Sequence, residues 1–180
     1  VTGARPIFVE TKDKKQNEPD FKDLESKINK NTKGIIINSP SNPTGGVWGD
    51  DAVLRVLDLV KNRPDIWIFS DECYEQLTYD TSFKSIATFN PEAKNIITFQ
   101  SCSKTYAMTG WRIGYLAGDE KLVKAISKLQ GQSTSCPNSI AQHAAVEALS
   151  GNQNCVNEMR EVFHQRRDLI LKELGYIPGI

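Results

Sequence analysis

Asn95-Ile96-Ile97-Thr98-Phe99-Gln100-Ser101-Cys102-Ser103-Lys104 is an apolar, β-prone run that passes directly into hydroxyls and a lysine. Asn95 to Phe99 predicts a short strand, and ligands collect at the carboxyl ends of strands in parallel sheets. Lys104 therefore stands where chemistry is usually placed. Gly110-Trp111-Arg112-Ile113-Gly114-Tyr115, just downstream, adds an arginine to the same turn-rich segment.

Two similar runs lie upstream, Gly34 to Asn38 (GIIIN) and Ile66 to Ser70 (IWIFS). Each is almost wholly apolar, as suits strands buried on both faces of a parallel sheet covered by helices. Between them Val53, Val56, Leu57 and Val60 recur at helical spacing after Asp50-Asp51, a pair that can cap a helix and favour its positive end. The result is a strand-helix-strand unit, for which a right-handed crossover is expected.

Pro6 to Glu10 reads as a further strand, Lys12 to Asn17 as a polar loop, and Phe21, Leu24 and Ile28 as an amphipathic helix after Pro19-Asp20. Downstream, Arg112 to Ala117 reads as a strand. Leu122, Ile126 and Leu129 mark a helix beginning near Asp119-Glu120, and Pro137 opens an alanine-rich helix to about Leu149. After Gly151-Asn152, Met159, Val162, Phe163, Arg166, Leu169 and Ile170 trace one side of a long charged helix that stops before Gly175.

The 180 residues are 39% hydrophobic and 24% charged, the composition of an ordinary globular protein. Twenty-two basic residues balance twenty-two acidic ones, so no net field favours nucleic acid or an anionic membrane. No apolar run approaches the roughly 20 residues that span a bilayer, and Val1 to Pro6 lacks the apolar core of a secretory signal. The chain reads as cytoplasmic. Cys73, Cys102, Cys136 and Cys155 are too scattered for a zinc site or a disulfide scaffold. His143 and His164 have no partners at ligand spacing, so no metal is expected. Trp48, Trp67 and Trp111 read as packing residues.

The residues just after each strand carry the chemistry. GIIIN leads into Ser39-Pro40-Ser41-Asn42-Pro43-Thr44-Gly45-Gly46, IWIFS into Asp71-Glu72-Cys73-Tyr74, and NIITF into Gln100-Ser101-Cys102-Ser103-Lys104. An amide, an acid, a phenol, hydroxyls and an amine at neighbouring strand ends describe one pocket. A lysine amine is a covalent catalyst when it forms a Schiff base, and pyridoxal phosphate pairs such a lysine with an acid at its ring nitrogen. Asp71 can be that acid, because a carboxylate beside the pyridine keeps it protonated. Tyr74 and Asn42 can reach the phenolic oxygen. Ser101, Ser103 and the planar fork of Arg112 supply phosphate partners, with Gly110 and Gly114 letting the backbone turn closely around them. Cys73 and Cys102 lie beside these positions without a base and read as small packing residues.

Ser39-Pro40-Ser41-Asn42-Pro43-Thr44-Gly45, Asp71-Glu72-Cys73-Tyr74 and Ser101 to Tyr115, in this order, closely resemble the class I, fold-type-I pyridoxal-phosphate aminotransferases, the group containing aspartate aminotransferase. The resemblance implies an α/β three-layer sandwich with a mostly parallel sheet, in which Arg112 to Ala117 runs antiparallel. It also implies that Lys104 holds the cofactor and, once displaced by substrate, shuttles a proton at the α-carbon. Asp71 then binds the pyridine nitrogen, Tyr74 and Asn42 the phenolic oxygen, and Ser101, Ser103 and Arg112 the phosphate. Asn42 can also touch the substrate carboxylate.

The resemblance implies family members about twice this length, which makes the chain a central piece. Residues 1–150 match part of the large, cofactor-binding domain, and 151–180 a helix leading to a small carboxyl-terminal domain. An aromatic that stacks on the cofactor, a tyrosine reaching the partner subunit's site and an arginine for the substrate carboxylate are expected elsewhere, so this chain alone can be inactive. The Ala107-to-Arg112 wording resembles bacterial-type aspartate aminotransferases. It implies aspartate and 2-oxoglutarate as substrates, with prephenate or aromatic amino acids possible in addition, and a homodimer. Two other readings stay open. One is another pyridoxal-phosphate reaction on this fold, such as β-elimination, because these residues serve the cofactor and not the substrate side chain. The other is a non-enzymatic sensor domain of a transcription regulator.

Overall fold

The computed structural model describes residues 2–12 and 17–179. Four strands, β1 (Gly34–Asn38), β2 (Trp67–Asp71), β3 (Ile96–Ser101) and β4 (Gly114–Ala117), form one sheet in the order β1-β2-β3-β4. The first three are parallel and β4 is antiparallel to β3. This is the mostly parallel α/β arrangement that the apolar runs imply. The register sets Asn38 level with Asp71, Asp71 level with Phe99, and Ser101 level with Gly114. Adjacent strands lie roughly 4.8 Å apart, so residues just beyond these ends share one edge.

Among the described residues six α-helices accompany the sheet: α1 (Phe21–Lys27), α2 (Asp50–Val60), α3 (Cys102–Thr105), α4 (Glu120–Ser133), α5 (Ser139–Ser150) and α6 (Asn154–Leu174). Asp20 starts α1 by accepting from the N–H groups of Lys22 and Asp23, which would otherwise lack partners in the first turn. The apolar faces of α1 and α2 cover one side of the sheet, packing Phe21, Leu24, Val53, Val56 and Val60 against Ile37, Ile66 and Ile68. Val56, Ile66 and Ile68 are fully buried, each stabilising the fold by about 2 kcal/mol through area removed from water. In a second cluster Ala145 of α5 packs on Cys102 and Met108.

Several details depart from the reading of the sequence. Residues 6–10 form no strand. The Glu10 N–H donates to the Asp23 carboxylate over 2.8 Å, and the Phe8 carbonyl accepts from Lys27 Nζ over 2.7 Å, so side chains of the α1 region hold this segment instead of a neighbouring strand. Of the polar loop 12–17, residues 13–16 lie outside the described residues. β1 is not buried on both faces, since α1 and α2 cover only one of them: Ile36 is 81% exposed. The α2 cap is Gly49, and Asp50-Asp51 fall inside the first turn, where their charge still suits the helix dipole. Trp111 lies in a surface 3-10 turn and is exposed, whereas Trp48 packs on the core with its Nε1 donating to the Asn17 carbonyl.

The long helix α6 is held to the loop after Tyr74 by a surface cluster. Arg167 pairs with the Asp80 carboxylate through both Nη atoms and lies over the Tyr79 ring, 5.1 Å from its centroid. His164, one turn earlier, stacks on Tyr79 with ring centroids 5.1 Å apart. Otherwise α6 buries little, and Val162, Phe163, Leu169 and Ile170 are exposed.

Candidate active site

A cleft of about 580 Å³ opens at the carboxyl ends of β1, β2 and β3, within the size range of small-molecule sites. It is lined by Asn42, Asp71, Tyr74, Ser101, Ser103, Lys104 and Arg112, with Ile36, Asn38, Cys73 and Thr109 completing the wall. Every residue singled out in the sequence for cofactor chemistry thus meets in one place. Strand order explains why. Asn42 follows β1, Asp71 ends β2, Ser101 ends β3 and Arg112 precedes β4, so the acid and the phosphate-suited groups sit on successive strands.

Local structure orients each group. Asn38 Oδ1 accepts from the Asn42 N–H over 2.8 Å, and the Asn42 side-chain amide then donates to the Tyr74 hydroxyl over 3.2 Å. The intervening turn closes through Gly45 N–H to Ser41 carbonyl at 2.8 Å, with Gly45 at a positive φ of 73° that favours glycine. Asp71 Oδ1 accepts from the Cys73 N–H over 3.2 Å. Tyr74 sits under Lys104, whose Nζ lies 5.7 Å from the ring centroid.

Ser101 is both the last residue of β3 and the cap of α3, accepting from the Ser103 N–H over 3.1 Å. That role uses its oxygen as an acceptor and leaves the hydroxyl proton for an anion in the cleft. One turn of α3 then carries Lys104. Thr109 Oγ1 donates to the Ser103 carbonyl over 3.1 Å, and Arg112 Nη1 donates to the Thr109 carbonyl over 2.9 Å. Arg112 itself adopts a left-handed backbone, φ 51° and ψ 48°, a conformation costing a non-glycine residue about 1 kcal/mol and concentrated at functional sites.

The glycines act otherwise than the sequence suggests. A Cβ on Gly110 would meet nothing within 4 Å, and the tight turn falls on Ala107 and Arg112 instead. Gly114 is required by a strand contact, since a Cβ there would sit 2.8 Å from the Gln100 carbonyl oxygen.

Burial, with a further contribution from the Asp71 carboxylate, pushes the Cys73 thiol up to about 12. It stays a neutral thiol at physiological pH and is no nucleophile. Cys102 is fully buried, its thiol also raised by burial, and serves packing. Among the described residues no cluster of His, Cys, Asp and Glu could hold a metal ion. Asn38 and Thr109 line the cleft without having been foreseen. Asn38, the last residue of β1, carried a signal in its position, whereas Thr109 reaches the cleft through a fold-back of the chain that no spacing reveals.

The whole chain, residues 1–180, matches the family described as aminotransferase class I and II. The chain belongs to the class I and II aminotransferase family. It is 43% identical to a probable aspartate/prephenate aminotransferase of Aquifex aeolicus, covering 99% of this chain and 46% of that protein. It is 42% identical to an aspartate aminotransferase of Geobacillus stearothermophilus over the same shares. The crystal structure of the Rhizobium meliloti aspartate aminotransferase superposes with a TM-score of 0.82 at 41% identity, covering 88% of this chain and 40% of that one. This aminotransferase chain therefore spans about half the length of the relatives it matches. Pyridoxal phosphate is the cofactor of class I aminotransferases, and the donor set of the cleft fits it: a carboxylate for a ring nitrogen, phenol and amide for a ring oxygen, hydroxyls and a guanidinium for a phosphate, and an amine for an aldehyde.

Proposed function

We propose that the protein carrying this chain is a pyridoxal-phosphate-dependent aminotransferase that takes aspartate as amino donor and 2-oxoglutarate as acceptor. The observation that carries this reading is the convergence of Asn42, Asp71, Tyr74, Ser101, Ser103, Lys104 and Arg112 on one cleft. The names of the relatives in Aquifex and Geobacillus support aspartate, and the first of them brings in prephenate as a second acceptor class.

Pyridoxal phosphate, when bound, supplies an electron sink for the bond at the substrate α-carbon. The protein's share is positioning and proton transfer. Asp71 would hold the pyridine nitrogen protonated through its opposite charge. Tyr74, held by Asn42, would donate to the phenolic oxygen. Ser101, Ser103 and Arg112 would hold the phosphate, the guanidinium serving as a planar donor fork. Lys104 would hold the aldehyde, and its amine, when free, would move a proton at the substrate α-carbon as general base and acid.

We assign residues 1–150 to the large domain and 151–180 to the connection toward a small domain. The exposed Leu129 and Ile140 support a homodimer whose remaining chain and partner cover them. The free cysteines suit a reducing, cytoplasmic setting.

Substrate class is tested on the complete protein by following glutamate formation from 2-oxoglutarate with aspartate, phenylalanine and alanine as donors. Aspartate giving the highest kcat/KM supports the proposal. Release of pyruvate and ammonia from an added amino acid with a leaving group on its β-carbon, such as β-chloroalanine or cystathionine, without any need for a 2-oxo acid, would point to a lyase, and cofactor binding without turnover to a sensor.

A further inference from the structure

Glu72 follows Asp71 directly, yet it does not line the cleft and its side chain is fully buried. No cation pairs with it among the described residues. Oε1 accepts from the Ser70 hydroxyl over 2.9 Å and from the Ile86 N–H over 3.2 Å, and Oε2 accepts from the Gln100 side-chain amide over 3.0 Å. Its own N–H donates to the Phe99 carbonyl over 2.9 Å. Burial pushes the Glu72 carboxyl up, against the pull of the hydrogen bonds from Ser85, Ser70, Ile86 and Gln100. An apolar residue of similar volume would fill such a place without that opposition.

Gln100 is the second unusual member. Its Nε2 donates to Glu72, while its Oε1 is buried with no hydrogen-bond partner. Buried polar atoms are nearly always satisfied, so this amide is held by its one contact with Glu72. Gln100 directly precedes Ser101, the cap of the turn that carries Lys104. The Glu72–Gln100 contact therefore joins the end of β2, bearing Asp71, to the end of β3, bearing Ser101 and leading into α3 with Lys104.

We infer that Glu72 and Gln100 are positioning residues, whose buried acid–amide contact holds Asp71 on one side and Ser101 with Lys104 on the other at the separation that one cofactor molecule spans. The inference rests on the proposed cofactor function. Neither residue touches the cofactor; each acts through the strand end it fixes.

The test uses the complete protein and reads equilibrium binding of pyridoxal phosphate, by quenching of intrinsic fluorescence, together with the pH midpoint of the bound cofactor's absorbance band. Glu72→Leu and Gln100→Leu are each expected to weaken binding about tenfold or more, the scale of one lost hydrogen bond to a charged group, and to move the midpoint. The exchanged pair, Glu72→Gln with Gln100→Glu, restores an acid–amide contact and is expected to return both readouts close to wild type. Val56→Ala in α2 provides a loss of melting temperature without a change in either. Gln100→Leu leaves Glu72 its contacts with Ser70 and Ile86, so it decides the matter even where Glu72→Leu does not fold. Wild-type affinity and midpoint in a folded Gln100→Leu protein would overturn the inference alone. A wild-type protein that does not bind pyridoxal phosphate would overturn the functional reading and the inference with it.

Discussion

The Asn42 side-chain amide donates to the Tyr74 hydroxyl over 3.2 Å, joining two turns that lie 32 residues apart in sequence. The contact fixes the phenol in the wall of the cleft, where the proposed function has it donate to the cofactor's phenolic oxygen. Tyr74→Phe removes the donor and Asn42→Ala removes the support behind it. A hydrogen bond to a charged oxygen contributes about 1.5–3 kcal/mol, and about 1.4 kcal/mol corresponds to one pH unit. Tyr74→Phe is expected to raise the pH midpoint of the bound cofactor's absorbance by about one to two units, with a smaller rise for Asn42→Ala. An unchanged midpoint in Tyr74→Phe would place the phenol elsewhere.

Among the described residues Asp71 supplies the one carboxylate lining the cleft. Asp71→Asn keeps the shape and removes the charge that holds a pyridine nitrogen protonated. Turnover is expected to fall by at least about a hundredfold, equivalent to roughly 3 kcal/mol of barrier, while the capture of cofactor at Lys104 persists. Steady-state kinetics with a parallel absorbance spectrum separates the two effects.

Arg112 reaches the cleft from a left-handed backbone position and is braced by the Thr109 carbonyl at 2.9 Å. Arg112→Lys preserves the charge and loses the two-pronged geometry. Affinity for pyridoxal phosphate is expected to drop by about tenfold, with kcat at saturating cofactor much less affected. Fluorescence titration of the apoprotein measures it.

The α6 cluster responds to acid. The Arg167 guanidinium beside Asp80 holds its carboxyl below the ordinary value of 3.8, with His164 adding to the effect. Because the folded value is depressed, the contribution is present above the unfolded value and is lost as pH falls through the folded one. Asp80→Asn is therefore expected to lower the melting temperature slightly at pH 7, with the difference vanishing once pH has fallen through the depressed folded value. A constant difference at every pH would assign the effect to packing on Tyr79 instead.

The candidate cleft was largely readable from the sequence because its groups occupy the positions just after apolar runs, and those runs became β1, β2 and β3 with boundaries shifted by at most two residues. Asn42, Asp71, Tyr74, Ser101, Ser103, Lys104 and Arg112 line that cleft, and each stands just after such a run or in the family motifs around it. The features that escaped depend on contacts remote in sequence. Residues 6–10 carry strand-like residues, but a strand needs a partner, and side chains of Asp23 and Lys27 hold that backbone instead. Glu72 looked like part of a motif, and only the packing of Ser70, Ile86 and Gln100 around it reveals a buried acid. The contact of α6 with Tyr79 and Asp80 joins residues 87 apart, beyond any periodicity.

Lys104 is the residue on which the proposed chemistry depends, and it can be marked directly. The complete protein is saturated with pyridoxal phosphate, reduced with borohydride, digested and mapped by mass spectrometry, with Lys104→Ala treated in parallel. A pyridoxyl group on Lys104, absent from the Lys104→Ala protein, is the predicted result. A saturated, folded protein that carries no adduct, or carries it on another lysine, would contradict the assignment of this cleft as the cofactor site.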